Sequence, residues 1–445
     1  MHHAPPQSLS AQRASALSGT TKVPGDKSIS HRALIFGALS LGVTRITGLL
    51  EAQDVINTAK AVAALGAPTE KSGDVWIVTG RGTGGLVAPG APLDFGNSGT
   101  GTRLMMGVVA GHPMTVQMTG DASLSKRPMR RVLTPLKQMG LQVLEEGRET
   151  LPLTLKGSAR LLPIEYLLPV PSAQVKSAIL IAGLMAAGET TVIETEATRD
   201  HTERMLRYFG AEVRCEPDGG GKTRITVRGE AEMRGRDVTV PGDPSSAAFL
   251  VCAALIVPGS DITIRGVLVN PSRTGLYTTL REMGGDVEFL NAREEGGEPI
   301  ADIRARSSKL HGVHVPADRA PSMIDEYPVL AAVAAFASGE TRMDGLAELK
   351  VKESDRLAAT AEGLRVNGVA ARVDGDCLIV TGGATVQGGG TVATHLDHRI
   401  AMAFLTMSLA SEMPVTVDDM AMIATSFPEF RGLMEQLGAR YSTGA

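Results

Sequence analysis

Apolar positions along this chain fall into two recurring kinds of run. One kind is long, Ala- or Met-rich and helical in spacing, such as Leu104-Met105-Met106-Gly107-Val108-Val109 and Ile400-Ala401-Met402-Ala403-Phe404-Leu405. The other is short and β-branched after a Gly-polar turn. Examples are Gly42-Val43-Thr44-Arg45-Ile46-Thr47, Gly188-Glu189-Thr190-Thr191-Val192-Ile193, Gly259-Ser260-Asp261-Ile262-Thr263-Ile264 and Gly339-Glu340-Thr341-Arg342-Met343. A helical period followed by a β-branched run predicts a helix and then a strand. A polar loop and a second helix follow, and that helix ends in Gly at Gly66, Gly140, Gly210, Gly284 and Gly438, the usual left-handed helix stop. A further strand comes next, as in Glu212-Val213-Arg214-Cys215 or Asp286-Val287-Glu288-Phe289. Each unit therefore reads β-α-β-α-β-β.

The turn that opens each unit recurs. Val23-Pro24-Gly25-Asp26-Lys27-Ser28-Ile29-Ser30-His31-Arg32 returns as Val240-Pro241-Gly242-Asp243-Pro244-Ser245-Ser246, and more loosely as Val170-Pro171-Ser172-Ala173-Gln174 and Val315-Pro316-Ala317-Asp318-Arg319. Phe95-Gly96-Asn97-Ser98-Gly99-Thr100 and His395-Leu396-Asp397-His398-Arg399 fit the same register. The anchors at 25, 96, 172, 242, 317 and 396 are spaced by roughly one sixth of the 445 residues, so six units account for nearly the whole chain. A strand end, a tight turn and a helix opening in Ser, Asp or Gln present free backbone N–H groups to an anion.

At this length two domains are the default. Three units per domain predicts a two-lobe α/β fold (α+β type). The expected bounds are 22–238 for the first lobe, and 1–21 plus 239–445 for the second, with 1–16 a flexible tail and the crossing at about Arg236 to Pro241. Gly82 to Pro92, Asn291 to Pro299 and Gly382 to Gly390 read as loops. Aromatic residues are only 3%, which argues against a base-stacking surface, and the net charge of −4 gives no global basic field for nucleic acid or membrane. Cys215, Cys252 and Cys377 form no disulfide framework or metal spacing, which favours a reducing compartment and a cytoplasmic protein. No apolar run reaches membrane-span length.

The cations are placed unevenly. Lys27, Arg32, Arg103, Lys126, Arg127, Arg199, Lys350, Lys352, Arg356 and Arg399 lie in or beside the anchor turns or the polar loops. In a six-unit fold these loops converge, predicting a ligand cleft between lobes for small polyanions. Two facing cationic surfaces repel until an anion lies between them, so closure on ligand is expected. Among the acids, Asp325-Glu326 follows the fifth anchor and Glu353 lies within Lys350-Val351-Lys352-Glu353-Ser354-Asp355-Arg356. A carboxylate beside several cations keeps its ionised form and is a ready base, whereas Asp355 reads as decoration of a helix N-terminus. His31, His201, His395 and His398 read as polar members of loops. No pair has zinc-ligand spacing, no metal site is expected, and neither a P-loop nor a dinucleotide fingerprint is present.

Five motifs, Lys27-Ser28-Ile29-Ser30-His31-Arg32, Gly96-Asn97-Ser98-Gly99-Thr100, Ser125-Lys126-Arg127-Pro128, Lys352-Glu353-Ser354-Asp355-Arg356 and Asp397-His398-Arg399-Ile400-Ala401-Met402, occur in an order that resembles the 5-enolpyruvylshikimate-3-phosphate synthase family from about Leu17 onward. The resemblance implies a two-lobe inside-out α/β barrel with three units in each lobe. It also implies transfer of the enolpyruvyl group of phosphoenolpyruvate to the 5-hydroxyl of shikimate 3-phosphate, with phosphate released and no metal or organic cofactor. By matching motifs, Lys27, Ser28, Arg32, Ser172, Ala173, Gln174 and Arg199 would hold shikimate 3-phosphate, with Asp325 and Lys352 on its hydroxyls. Lys27, Asn97, Gly99, Thr100, Arg127, Gln174, Arg356 and Arg399 would hold phosphoenolpyruvate. Asp325, Glu353 and Lys27 are the implied catalytic groups.

The chain departs from the family at Ala424-Thr425-Ser426-Phe427-Pro428, where many members carry a Lys before the Ser/Thr-Phe-Pro. That form and Ser172-Ala173-Gln174 resemble the subset of bacterial enzymes tolerant of the inhibitor glyphosate. Some of that subset have Ala where Gly99 stands, so Gly99 is expected to admit glyphosate. The sister enzyme that uses UDP-N-acetylglucosamine is the alternative. Its reactive Cys has no counterpart between Gly111 and Arg130. A monomer is expected.

Overall fold

The computed structural model describes residues 6–443. Among the described residues the α-helices are α1 (Lys27–Leu39), α2 (Gln53–Ala64), α3 (Gly99–Ala110), α4 (Arg130–Met139), α5 (Ala173–Gly183), α6 (His201–Tyr208), α7 (Pro244–Ile256), α8 (Gly275–Glu282), α9 (Tyr327–Ala334), α10 (Arg356–Val366), α11 (His398–Ser408) and α12 (Phe430–Leu437). They alternate in character. The odd-numbered helices are buried on nearly every side, and in α7 every residue is buried. The even-numbered ones mostly bury a single stripe, as α4 does with Val132, Leu133, Pro135, Leu136 and Met139. A helix apolar all round belongs inside a core and an amphipathic one belongs over it.

The strands form four-stranded sheets of one topology. In each, the lead strand pairs parallel with the second, and the remaining two pair antiparallel. Thus Tyr166 lies opposite Val192 in a parallel pair, and Val192 lies opposite Ile225 in an antiparallel one. Six such sheets are present among the described residues, one per predicted unit.

The chain divides into two compact units. One comprises Gly25–Pro241 with Glu295–Glu298, and the other comprises the chain up to Pro24, Gly242–Glu294 and everything from Pro299 on. Each unit has its own apolar core. The lead strands are exchanged. Asp237–Thr239, which precedes α7 in sequence, pairs with Leu41–Thr47 in the sheet below α1. Ser18–Thr21, which precedes α1, pairs with Asp261–Leu268 in the sheet of α7. The two connections mirror each other: Asp26 N–H donates to Pro241 O at 2.7 Å in one unit, and Asp243 N–H to Pro24 O at 2.8 Å in the other. Gly25 is required there, because a Cβ would lie 2.0 Å from Gly48 O.

Three sequence expectations are corrected. The segment 1–16 is not a flexible tail over its described part. Leu9–Gln12 is an inner strand, paired with Val415–Val417 on one side and Arg440–Thr443 on the other, and Leu9, Ala11 and Leu17 are fully buried. Two apolar residues in a Ser- and Gln-containing stretch are too short an alternation to show in sequence, and the partners lie about 400 residues away. The first five residues of that expectation lie outside the described ones. Asn291 to Pro299 is not a loop but the turn end of a hairpin, Asp286–Glu295 with Glu298–Arg306, turning on Gly296-Gly297 at φ 60° and 82°. A Gly-Gly pair between strands suits that turn. The fifth anchor does not open a helix directly. Ala317–Ser322 is a 3₁₀ turn, and α9 begins only after Asp325-Glu326.

Candidate active site

In the unit Gly25–Pro241, three anchor turns deliver side chains from helix N-termini. Asp26 caps α1 by accepting from Ile29 N–H, which places Lys27 at the first helical position. Its Nζ pairs with Asp54 at 2.6 Å. One turn on, His31 is a buried member of α1 rather than a loop residue, bonded to Thr58 Oγ1 at 2.8 Å. Desolvation, reinforced by Lys27 and Arg32, drives its pKa down to about 3, against a small upward pull from Asp26. Arg32 is 2% exposed. Its Nε donates to Thr202 Oγ1 and its Nη2 to Ser177 Oγ, both at 2.8 Å, and its Nη1 to Ser28 O at 2.9 Å. Burial lowers its pKa to about 10, with Glu203 the largest opposing influence and Arg199 a further depressing one. Arg199, half-buried just ahead of α6, is thus near Arg32.

The α3 and α5 turns meet. Ser98 caps α3 and Ser172 caps α5. Gln174 Nε2 donates to Thr100 Oγ1 at 2.9 Å, and Arg103 Nη1 donates to Gln174 Oε1 at 2.5 Å. Arg127 Nη2 donates to Asn97 Oδ1 at 2.5 Å, and Asn97 Nδ2 to Asp121 at 2.8 Å. Asn97, Gly99, Thr100, Arg127 and Gln174 are therefore brought together, with Gly99 between two guanidiniums. A Cβ there would stand 3.1 Å from Arg127 Nη1 and 3.3 Å from Arg103 Nη1. Arg103 and the acceptors Asp54 and Asp121 were not in the sequence-derived site set. Arg103 does lie one turn into α3 from Gly99, which was the available signal.

In the other unit, Arg356 is the hub. It is 1% exposed, and each of its nitrogens meets a carboxylate: Nη2 to Glu353 at 2.6 Å, Nη1 to Asp325 at 3.1 Å and Nε to Asp397 at 2.8 Å. Desolvation opposes its charge, but Asp397, Glu353 and Asp325 outweigh that and raise its pKa. Lys352 lies 3.8 Å from Asp325. Arg399 donates from Nη1 to Asp325 O at 3.3 Å, and its Nε lies 4.0 Å from Asp325 Oδ1. Asp397, fully buried, caps α11 through Arg399 N–H and is held ionised against its own burial by Arg356 and His398. It was missed as a site residue, although it lies in the quoted Asp397-His398-Arg399 motif. Asp355 caps α10 by accepting from Ala358 N–H. Lys350 is drawn away to Asp376 at 2.6 Å. At the divergent segment, Thr425 donates to Met422 O at 2.7 Å, satisfying its own turn.

His201 and His398 are likewise buried helix-start residues rather than loop members. Asp200, His201 and Glu298 place ligand atoms within 4.8 Å of one another. Glu298 accepts from His201 Nδ1 at 2.7 Å and Asp200 from Arg204 Nε at 2.7 Å.

A family model described as EPSP synthase (3-phosphoshikimate 1-carboxyvinyltransferase) matches residues 11–434. The chain belongs to the EPSP synthase family. A relative from Methylorubrum populi named 3-phosphoshikimate 1-carboxyvinyltransferase is 62% identical, with 100% of this chain and 99% of the relative covered. One of the same name from Parvibaculum lavamentivorans is also 62% identical, covering 98% of this chain and 97% of its own. A solved EPSP synthase from Acinetobacter baumannii superposes with a TM-score of 0.89 at 43% identity, covering 99% of this chain and all of that one. At such identity over full length, the family's two-lobe α/β fold and its enolpyruvyl transfer apply to this chain.

Proposed function

We infer that the chain transfers the enolpyruvyl group of phosphoenolpyruvate to the 5-hydroxyl of shikimate 3-phosphate through a tetrahedral ketal. The observation that carries the mechanism is the Arg356 hub, where Asp325 and Glu353 share one buried guanidinium, at 3.1 and 2.6 Å. A buried cation that meets three carboxylates, two of them the implied proton-transfer groups, suits a reaction that moves protons beside a phosphate. Asp325 takes the proton of the 5-hydroxyl as its oxygen attacks C2. Glu353, entering the cycle in its protonated form, gives that proton to C3, turning the methylene into a methyl group. The C2–O bond to phosphate then breaks, its electron pair leaves with phosphate, and a methyl proton returns to Glu353 as the double bond reforms. Lys27 and the arginines stabilise the departing charge. The acceptor is held by Lys27, Ser28, Arg32, Ser172, Ala173, Gln174, Arg199, Asp325 and Lys352. Phosphoenolpyruvate is held by Lys27, Asn97, Gly99, Thr100, Arg127, Gln174, Arg356 and Arg399. Arg forks suit its carboxylate and phosphate, since each binds two oxygens.

The test is Glu353→Gln. Turnover should fall by orders of magnitude while both substrates still bind by calorimetry, and near-normal turnover would remove Glu353 from the mechanism. Phosphate release with shikimate 3-phosphate, but not with UDP-N-acetylglucosamine, separates this acceptor from the alternative. We also propose that glyphosate competes at the Gly99 turn and that the chain works as a cytoplasmic monomer. Its cysteines are free, and no helix among the described residues is long and apolar enough to cross a membrane.

A further inference from the structure

We propose that the hydroxyls of Ser177 and Thr202 are positioning residues for shikimate 3-phosphate, acting through Arg32. This rests on the reading above that Arg32 binds that acceptor. Hydrogen-bond accounting carries the argument. Ser177 donates its proton to Ala173 O at 2.6 Å, so its oxygen can only accept from other partners. Thr202 Oγ1 lies 2.7 Å from Ser177 Oγ and therefore donates to it. With both hydroxyl protons committed, the lone pairs of the two oxygens face Arg32, taking Nε and Nη2 at 2.8 Å each. The pair does for this guanidinium what a bidentate carboxylate usually does, but without a negative charge.

That difference is informative. Arg356 is also buried, but the groups that fix it are three carboxylates, Asp325, Glu353 and Asp397. Arg32 is held by two hydroxyls and a backbone carbonyl. Only three of its five N–H groups have acceptors among the described residues. Glu203, next to Thr202, favours the charged form through space but gives its Oε1 to Lys176 at 2.7 Å. A buried cation fixed by neutral acceptors keeps its charge and its remaining N–H groups for an anion that arrives later. The bond from Ser177 to Ala173 O also ties this cation to the first turn of α5, where Ser172, Ala173 and Gln174 lie. One hydroxyl thus sets the register between two segments that serve the same substrate.

The test is steady-state kinetics on the full chain with each substrate varied in turn, alongside thermal melting. Ser177→Ala and Thr202→Val should each raise KM for shikimate 3-phosphate about tenfold, with kcat and KM for phosphoenolpyruvate changed less than about twofold. Thr202→Ser, which restores the oxygen, should return KM to within about twofold of the parent. The double variant should resemble either single one, because both oxygens hold one fork. If Thr202→Val does not fold, Ser177→Ala decides the matter. Unchanged KM for shikimate 3-phosphate in the hydroxyl variants, or a matched rise in both KM values with a lowered Tm, overturns the proposal. Arg32→Lys separates the two levels. If it leaves KM for shikimate 3-phosphate untouched, the assignment of Arg32 to the acceptor is wrong. If it raises KM while the hydroxyl variants do not, only the positioning role is wrong.

Discussion

At residue scale the distinctive features are charges taken out of water and what each is given in return. Gly99 stands where there is no spare room. An added methyl would press on the terminal nitrogens of Arg127 and Arg103 at 3.1 and 3.3 Å, tighter than ordinary contact. Those are the ends of flexible side chains, so Gly99→Ala should fold normally and shift the guanidiniums. Arg127 is in the set proposed for phosphoenolpyruvate, so the methyl should weaken glyphosate and substrate together rather than glyphosate alone. We expect the inhibition constant for glyphosate to rise at least tenfold and KM for phosphoenolpyruvate to rise severalfold; an unchanged inhibition constant would refute the steric account. His31 makes a different prediction. Its folded pKa is about 3 against 6.5 unperturbed, so the folded chain keeps it neutral while the unfolded chain protonates it. The unfolded state then binds more protons between those values, and stability falls as pH drops from about 6.5 toward 3. At about 1.4 kcal/mol per pKa unit the full loss is a few kcal/mol. Urea melts of His31→Gln should show a shallower decline of stability between pH 6.5 and 4 than the parent, and parallel declines would count against the histidine.

At element scale the helix caps were the readable part. Asp26, Ser98, Ser172, Asp243 and Asp397 each accept a backbone N–H at a helix start, as the repeated turn implied. Short polar side chains have a local mechanism there, so spacing alone reveals them. The fifth turn broke the pattern because Pro316, Pro321 and Pro328 crowd the same stretch, delaying α9 to Tyr327 and leaving Asp325 beside Arg356 ahead of the helix. What could not be read were pairings without periodicity. Thr202 and Ser177 carry Arg32 from 170 and 145 residues away, and His201 meets Glu298 across 97. Helix stops were legible for the same reason as caps. Gly140 ends α4 at φ 117°, and a Cβ there would meet nothing closer than 3.8 Å. Its replacement therefore isolates backbone cost. Gly140→Ala should destabilise the chain by about 1–2 kcal/mol, lowering Tm by a few degrees in calorimetry with KM for both substrates unchanged. No change in Tm would mean that the turn relaxes at no cost.

At the scale of the whole molecule, the sixfold repeat was visible in turn spacing, but the exchange of strands was not. Repetition fixes what each unit contains, and it does not say which copy of a lead strand a sheet receives. The last unit shows the consequence. Its inner strand comes from the opposite end of the chain, so Leu9–Gln12 completes a sheet whose other members start at Thr391. Both edges of that strand are used, Ala11 O accepts from Ser408 Oγ at 2.5 Å, and Leu9 and Ala11 face the core. Removing it would leave two edges unpaired and a slot in the core. A buried Leu is worth about 1.5–3 kcal/mol and each ladder bond about 1 kcal/mol net, so the loss is on the order of 5 kcal/mol or more. In a unit of this size that corresponds to a Tm drop of roughly 10–20 °C. A chain beginning at Arg13 should show that drop in calorimetry, or fail to accumulate as folded protein. Adding a synthetic Gln7–Gln12 peptide at high concentration should restore part of the lost Tm, because it can fill the vacated position. A truncated chain with the parental Tm would mean that the strand is an accessory and that the unit closes without it.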